Sequence, residues 1–212
     1  MFQNIVAYHL YQTPPLPPND AVAYQYVLAA TGLYLRAENP FFDVLLPVAR
    51  CPIRGLASLQ PHFRLKVPPV PGRLLTAVLA DARRARCAQG GLEEALYHFR
   101  HHGTRVSVLK PPQRATTASV VAAEGNTTDI ILDLHSHGNI GAFWSGTDNG
   151  DEQGFRVYGV IGRLDTVPEI GLRLGVYGYW FPLPANVLFD GLGGFVDVVG
   201  QKMRRGTSHG KA

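Results

Sequence analysis

The chain has 212 residues, of which 46% are hydrophobic and 17% charged, with a formal net charge of +4. That balance excludes a disordered chain and allows one substantial domain, or one domain with an extension, around a core of useful size. The positive excess sits in Arg83, Arg84 and Arg86 and in Lys202, Arg204, Arg205 and Lys211, the pattern of a solvated helix face and a flexible tail; nucleic acid is not an expected partner.

Residues 1–59 read as a β-rich extension. The runs 24–35 and 42–48 are aromatic and β-branched enough for strands. TPPLPPND (13–20) reads as a stiff loop in preference to a polyproline ligand. The opening MFQNIVAYHLYQTPPLPP has neither a charged n-region nor a long apolar h-region, so no signal peptide is expected. No stretch approaches the roughly 18 apolar residues of a membrane span, and the expected location is the cytoplasm. The two cysteines, Cys51 and Cys87, form no CxxC pair and offer no cysteine zinc knuckle.

PPVPG (68–72) breaks the chain before a helix. Leu74, Leu75, Val78, Leu79 and Ala82 recur at helical spacing, with Arg73, Asp81, Arg83 and Arg84 on the other face. Arginines near the C-terminal end suit the helix dipole, and Gln89-Gly90-Gly91 supplies the stop. Strand-like runs follow at 95–99 and 104–109, around the turn HHG (101–103). After a β-branched run at 119–122 and a polar turn, GNTTD (125–129), residues 130–137 read as a buried strand leaving the core. An acidic, glycine-rich loop, DNGDEQG, precedes two long strand patterns, 155–164 and 172–183, joined around Pro168. The tail 201–212 reads as flexible. This order predicts an α/β domain over 60–200, with a mixed central sheet and a site at a strand end.

The site is predicted in DLHSHGNIGAFWSGTD (133–148). Alternate strand side chains face the same way, so His135 and His137 project together, one pleat apart, and can grip one metal ion. A catalytic zinc takes three protein ligands and leaves a fourth position open. Asp148 lies eleven residues beyond His137, far enough for the chain to turn and return a carboxylate. Ser145-Gly146-Thr147-Asp148 also has the form of a helix N-cap with an acid in the first turn, which would fix Asp148 at the start of a short helix. A His2Asp set also suits iron, nickel or cobalt.

The string resembles the JAMM (JAB/MPN) metalloprotease family, whose signature is H-x-H-P, six residues, then S-x-x-D. Here it reads His135-Ser136-His137-Gly138, then NIGAFW, then Ser145-Gly146-Thr147-Asp148, without a gap and with glycine in place of proline. Upstream, LLTAVLADARRA leading to GLEEALYHF resembles the family's helix and the strand that opens with its glutamate. Glu94, followed by alanine, matches that glutamate; Glu93 is the close alternative. DLHSH also fits the PHP phosphoesterases. Those need several further histidine and acidic ligands downstream, whereas the only histidine in the 75 residues after His137 is His209. DLHSHG, AFWSGTD, VYGVIGRLD and GVYG are most similar to the protein A branch of PRTRC systems, bacterial cassettes that also encode ThiF-related proteins.

The resemblance implies an MPN fold of the cytidine-deaminase-like type and a Zn2+-dependent peptidase or isopeptidase. It implies one zinc per chain on His135, His137 and Asp148, Glu94 as the base and Ser145 as a hydrogen-bond partner of the oxyanion or of the metal-bound water. It also implies a ubiquitin-like protein and a ThiF/E1-like protein of the same cassette as partners. Asp133 can orient a histidine by accepting its other N–H, or can face solvent. Phe143 and Trp144 can line a substrate groove or pack the loop. The alternative to an enzyme is a non-catalytic MPN scaffold with a structural or vestigial metal site.

Overall fold

The computed structural model describes residues 4–122 and 127–208, of which 204–208 are described by backbone alone. Gly125 and Asn126 of the polar turn and His209 of the tail lie outside the described residues, as does the start of the N-terminal segment. The chain divides into two compact units after Pro68.

The first unit is a five-stranded sheet in sequence order, β1 (Val6–Leu10), β2 (Tyr24–Ala29), β3 (Gly32–Glu38), β4 (Phe42–Arg50) and β5 (His62–Leu65). β1 runs parallel to β2, and the other pairs are antiparallel. The single strand expected over 24–35 is a hairpin: it turns at Ala30 and Thr31 into β3. Tyr11, Val27, Ala29, Tyr34 and Leu45 form one core cluster of this sheet, with Leu16, Ala57 and Leu59 packed against it. Because β5 pairs with β4, the unit ends at Pro68 and not at residue 59.

The second unit opens with α1 (Arg73–Ala82), which buries Leu75, Val78, Leu79 and Ala82. The helix stops at Ala82, well before the glycine pair, so the arginine cluster follows the helix instead of occupying its last turn. Arg83 caps the end and gives its Nε–H to the Leu164 carbonyl at 2.6 Å. Asp81 ties α1 to the sheet by accepting from the Tyr97 hydroxyl and the Lys110 ammonium, each at 2.9 Å.

Next come β6 (Leu96–His102), β7 (Arg105–Leu109) and a small hairpin of β8 (Gln113–Ala115) and β9 (Val120–Ala122). β10 (Ile130–Ser136) leads to α2 (Gly146–Asp151), then β11 (Arg156–Gly162), β12 (Glu169–Val176), β13 (Tyr179–Leu183), β14 (Val196–Asp197) and α3 (Val198–Ser208). The main sheet has the order β13-β12-β11-β10-β6-β7, with β14 beside β12. β10 and β11 are parallel and the remaining neighbours in that order are antiparallel. β10, β11 and β12 are buried along most of their length, which explains their near-continuous apolar runs. The pattern over 172–183 is two strands, reversed by the turn Tyr177-Gly178. Part of the expected acidic loop is helical, as α2, and the backbone is helical through Ser208 where a flexible tail was expected. The architecture is mixed α/β and strand-rich, with a mixed central sheet. Among the described residues no helix is long and apolar enough to cross a membrane.

Candidate metal centre

β10 lies between β6 and β11 and delivers two histidines at its C-terminal end. His135 is paired with Leu96 and Val160, and His137, one residue past the strand, continues the ladder by donating its N–H to Ile161 at 2.8 Å. Both side chains are buried, and their Nε2 atoms converge to 3.1 Å. Burial lowers the pKa of both rings, that of His135 to about 4, against the opposing pull of Asp148. Both imidazoles are therefore neutral at pH 7, the form that offers a lone pair to a cation. Nδ1 of His137 is buried with no partner of ordinary hydrogen-bond geometry among the described residues, although the Gly141 backbone lies close enough to favour the protonated ring.

Asp148 arrives on α2. Ser145 is the N-cap: its Oγ accepts the Asp148 N–H at 3.2 Å, and Asp148 Oδ2 accepts the Ser145 N–H at 2.5 Å. This capping box leaves Asp148 Oδ1 free to face His135 Nε2 at 3.4 Å. Donor atoms of His135, His137 and Asp148 all lie within 4.8 Å of one another. A tetrahedral centre with bonds of about 2.0–2.1 Å has donor–donor edges of about 3.3 Å. The two edges at His135 match that size, so the triad of two buried histidines and the partly buried Asp148 can hold a metal ion.

Glu94 enters the same end of the sheet from the chain leading into β6. Its N–H goes to Thr116 at 2.7 Å, beside the β8–β9 hairpin. The next residue, Ala95, exchanges bonds with Ser136 between the two histidines: Ala95 N–H to Ser136 Oγ, and Ser136 N–H to the Ala95 carbonyl, both at 2.9 Å. Glu94 is buried, and its pKa is pushed up to about 7, chiefly by desolvation and further by the negative charge of Asp148. Glu93 is partly exposed and gives its N–H to Ala85 at 2.8 Å.

The sheet register sets Asp133 one pleat back from His135, opposite His98 of β6. Its carboxylate lies 3.9 Å from His98 Nε2. Burial pushes its pKa up to about 6, with Arg156 working against the shift.

Phe143 and Trp144 diverge. Phe143 is half exposed, with its ring edge-on to His137 at 4.9 Å between centroids. Trp144 lies over the guanidinium of Arg173 at 4.9 Å and close to Gly171. Arg173, buried on β12, also bonds Glu152 and Asn149 at the far end of α2. No sequence motif pointed to Arg173, because its partners are scattered between 144 and 180.

Two glycines shape the loop between the histidines and α2. Gly138, where the resembled signature has proline, has φ +57°, a left-handed conformation that proline cannot adopt. Gly162 lies beneath the loop: a Cβ there would fall 2.3 Å from the Ile140 oxygen and 2.7 Å from the Ala142 nitrogen. The loop thus crosses the end of β11 in direct backbone contact.

Comparison with known protein families finds no matching family model, and comparison with curated proteins finds no match.

Proposed function

We propose that this chain is a JAMM-type, zinc-dependent peptidase or isopeptidase with an MPN fold. Its substrate class is the C-terminal tail of a ubiquitin-like protein or its conjugates, within a PRTRC-type bacterial cassette that also supplies a ThiF/E1-like partner. The observation that carries the reading is the buried carboxylate of Glu94 beside the His-His-Asp triad, whose two histidines are buried. The spacing of the signature from His135 to Asp148, with Glu94 upstream, supports the family.

His135 and His137 would hold the ion through Nε2 and Asp148 through Oδ1. A bound zinc ion polarises a carbonyl and acidifies water. Glu94, with a pKa near 7, is matched to accept a proton from the attacking water on a carboxylate oxygen and return it to the leaving amine. Ser145 Oγ already accepts the Asp148 N–H, so its own proton is free for a developing oxyanion. A donor of this kind contributes roughly 3 kcal/mol. Phe143, half exposed beside His137, would contact a peptide lying across the site.

The test is cleavage of a fusion in which a cassette ubiquitin-like protein is joined through its C-terminal glycine to a reporter. Zinc-dependent release at that junction, abolished in Glu94→Gln, is the expected result. A zinc-loaded wild type that leaves both peptide and isopeptide fusions intact would replace the hydrolase with a metal-bearing scaffold.

A further inference from the structure

Asp148 rides on a helix that is too small to hold itself. α2 has six residues and buries none of them, and isolated helices this short are unstable in water. Its N-terminal end is fixed by the Ser145 cap. The other end is held by two side chains from the sheet, one of which engages both Asn149 and Glu152.

That side chain is Arg173. Its Nη1 donates to Asn149 Oδ1 at 2.7 Å, and its Nε donates to Glu152 Oε2 at 2.6 Å, with Nη2 at 2.5 Å from the same oxygen. Glu152 caps α2 by giving its N–H to the Asp148 carbonyl at 2.9 Å. The Glu152 carbonyl in turn accepts the Trp180 Nε1–H at 3.0 Å. The guanidinium lies between the rings of Trp144 and Trp180, at 4.9 and 5.0 Å from their centroids. Arg173 is paired through β12 with Tyr158 of β11, which is paired with Asp133 of β10. The same sheet that carries His135 therefore grips the segment on both sides of Asp148.

We propose that Arg173 is a positioning residue for the metal centre: it holds Asp148 at the distance from the two histidines that lets one ion bind all three. This rests on the reading of the triad as a metal site. Its charge reaches His135 through space, but its hydrogen bonds and ring contact go to Asn149, Glu152 and Trp144, and it positions Asp148 through them. Lysine cannot replace it, because an ammonium has neither the planar fork nor the flat faces that engage two acceptors and two rings at once.

The experiment is a Co2+ titration of the full chain, read by visible absorption, for wild type, Arg173→Lys, Asn149→Ala, Asp148→Ala and the double variant R173K/D148A. Thermal unfolding of each metal-free protein reports folding separately. Arg173→Lys is expected to stay folded at low temperature and to bind Co2+ about 10–100-fold more weakly, the range for residues that orient ligands from behind. Its tetrahedral bands should fade as the carboxylate leaves, and Asn149→Ala, which spares the Glu152 pair, should show a smaller loss in the same direction. The double variant should bind no more weakly than Asp148→Ala alone, because both changes remove one contribution. Wild-type affinity and spectrum in Arg173→Lys and Asn149→Ala, or additive losses in the double variant, would overturn the proposal. A wild type that binds no Co2+ at all would instead overturn the metal site, and this inference with it.

Discussion

Ser145 and Asp148 bond each other twice, at 2.5 Å through the Asp148 carboxylate and at 3.2 Å through the Ser145 hydroxyl. One carboxylate oxygen closes the helix while the other faces His135. Local folding and ligand presentation therefore share one side chain, and a change at Ser145 reaches both.

Ser145→Ala removes the hydroxyl acceptor of the cap and should cost about 1 kcal/mol of stability. Ser145→Thr keeps an acceptor and should recover most of it. Urea unfolding of the metal-free variants measures the difference; equal midpoints for alanine and serine would show that the cap contributes nothing.

Elemental analysis of protein purified without an affinity tag should find about one divalent ion per chain, the expectation for a single three-ligand site with its fourth position open. His135→Ala and His137→Ala should each lose it. His62→Ala is the control, since that ring pairs with Asp43 in the N-terminal unit at 3.2 Å and should leave the metal content unchanged.

Glu94→Gln should keep the metal and lose roughly 10²–10⁴-fold in turnover, the range for a positioned general base. Glu93→Gln should turn over normally, because Glu93 is partly exposed, whereas the Glu94 carboxyl is buried and feels the charge of Asp148. Comparable losses in both variants would assign the base wrongly.

Asp81 carries a pH signature away from the site. The Lys110 ammonium, through its hydrogen bond, leads in holding the carboxyl below its ordinary value of 3.8. A carboxylate lowered in the folded state stabilises it above the ordinary value. That contribution is lost as pH falls through 3.8 and on through the lower native value. The Asp81 side chain is more than a third exposed, so screening keeps the contribution to about 0.5 kcal/mol. Asp81→Asn should therefore unfold more easily than wild type at pH 7, and the gap should close in acid. A gap independent of pH would trace it to packing.

Much of the site could be read in the sequence because its signals are local. The H-x-H period places two rings on one strand face, and S-x-x-D describes a helix start whichever sheet it lands on. The strand ends at 177 and the helix end at Ala82 were harder to read. An apolar pattern passes straight through Tyr177-Gly178, and only the antiparallel pairing of β12 with β13 shows the reversal. The alternation of Arg83, Arg84 and Arg86 with alanine extends a helical appearance past the real cap. The Arg173 clamp was unreadable for a different reason. Its members are spread over five separate positions, each ordinary alone, and only the folded sheet brings them to one guanidinium.

The bare backbone of Gly162 has a consequence for how mutations would sort. Adding one methyl at this position forces the 138–142 loop off β11, since the loop's own carbonyl and amide atoms occupy that space. Such a variant retains every donor atom, yet it displaces the segment that leads from His137 to Ser145. A saturation scan would thus rank a residue with no functional group beside the ligands themselves, and the intolerance there would map clearance instead of chemistry.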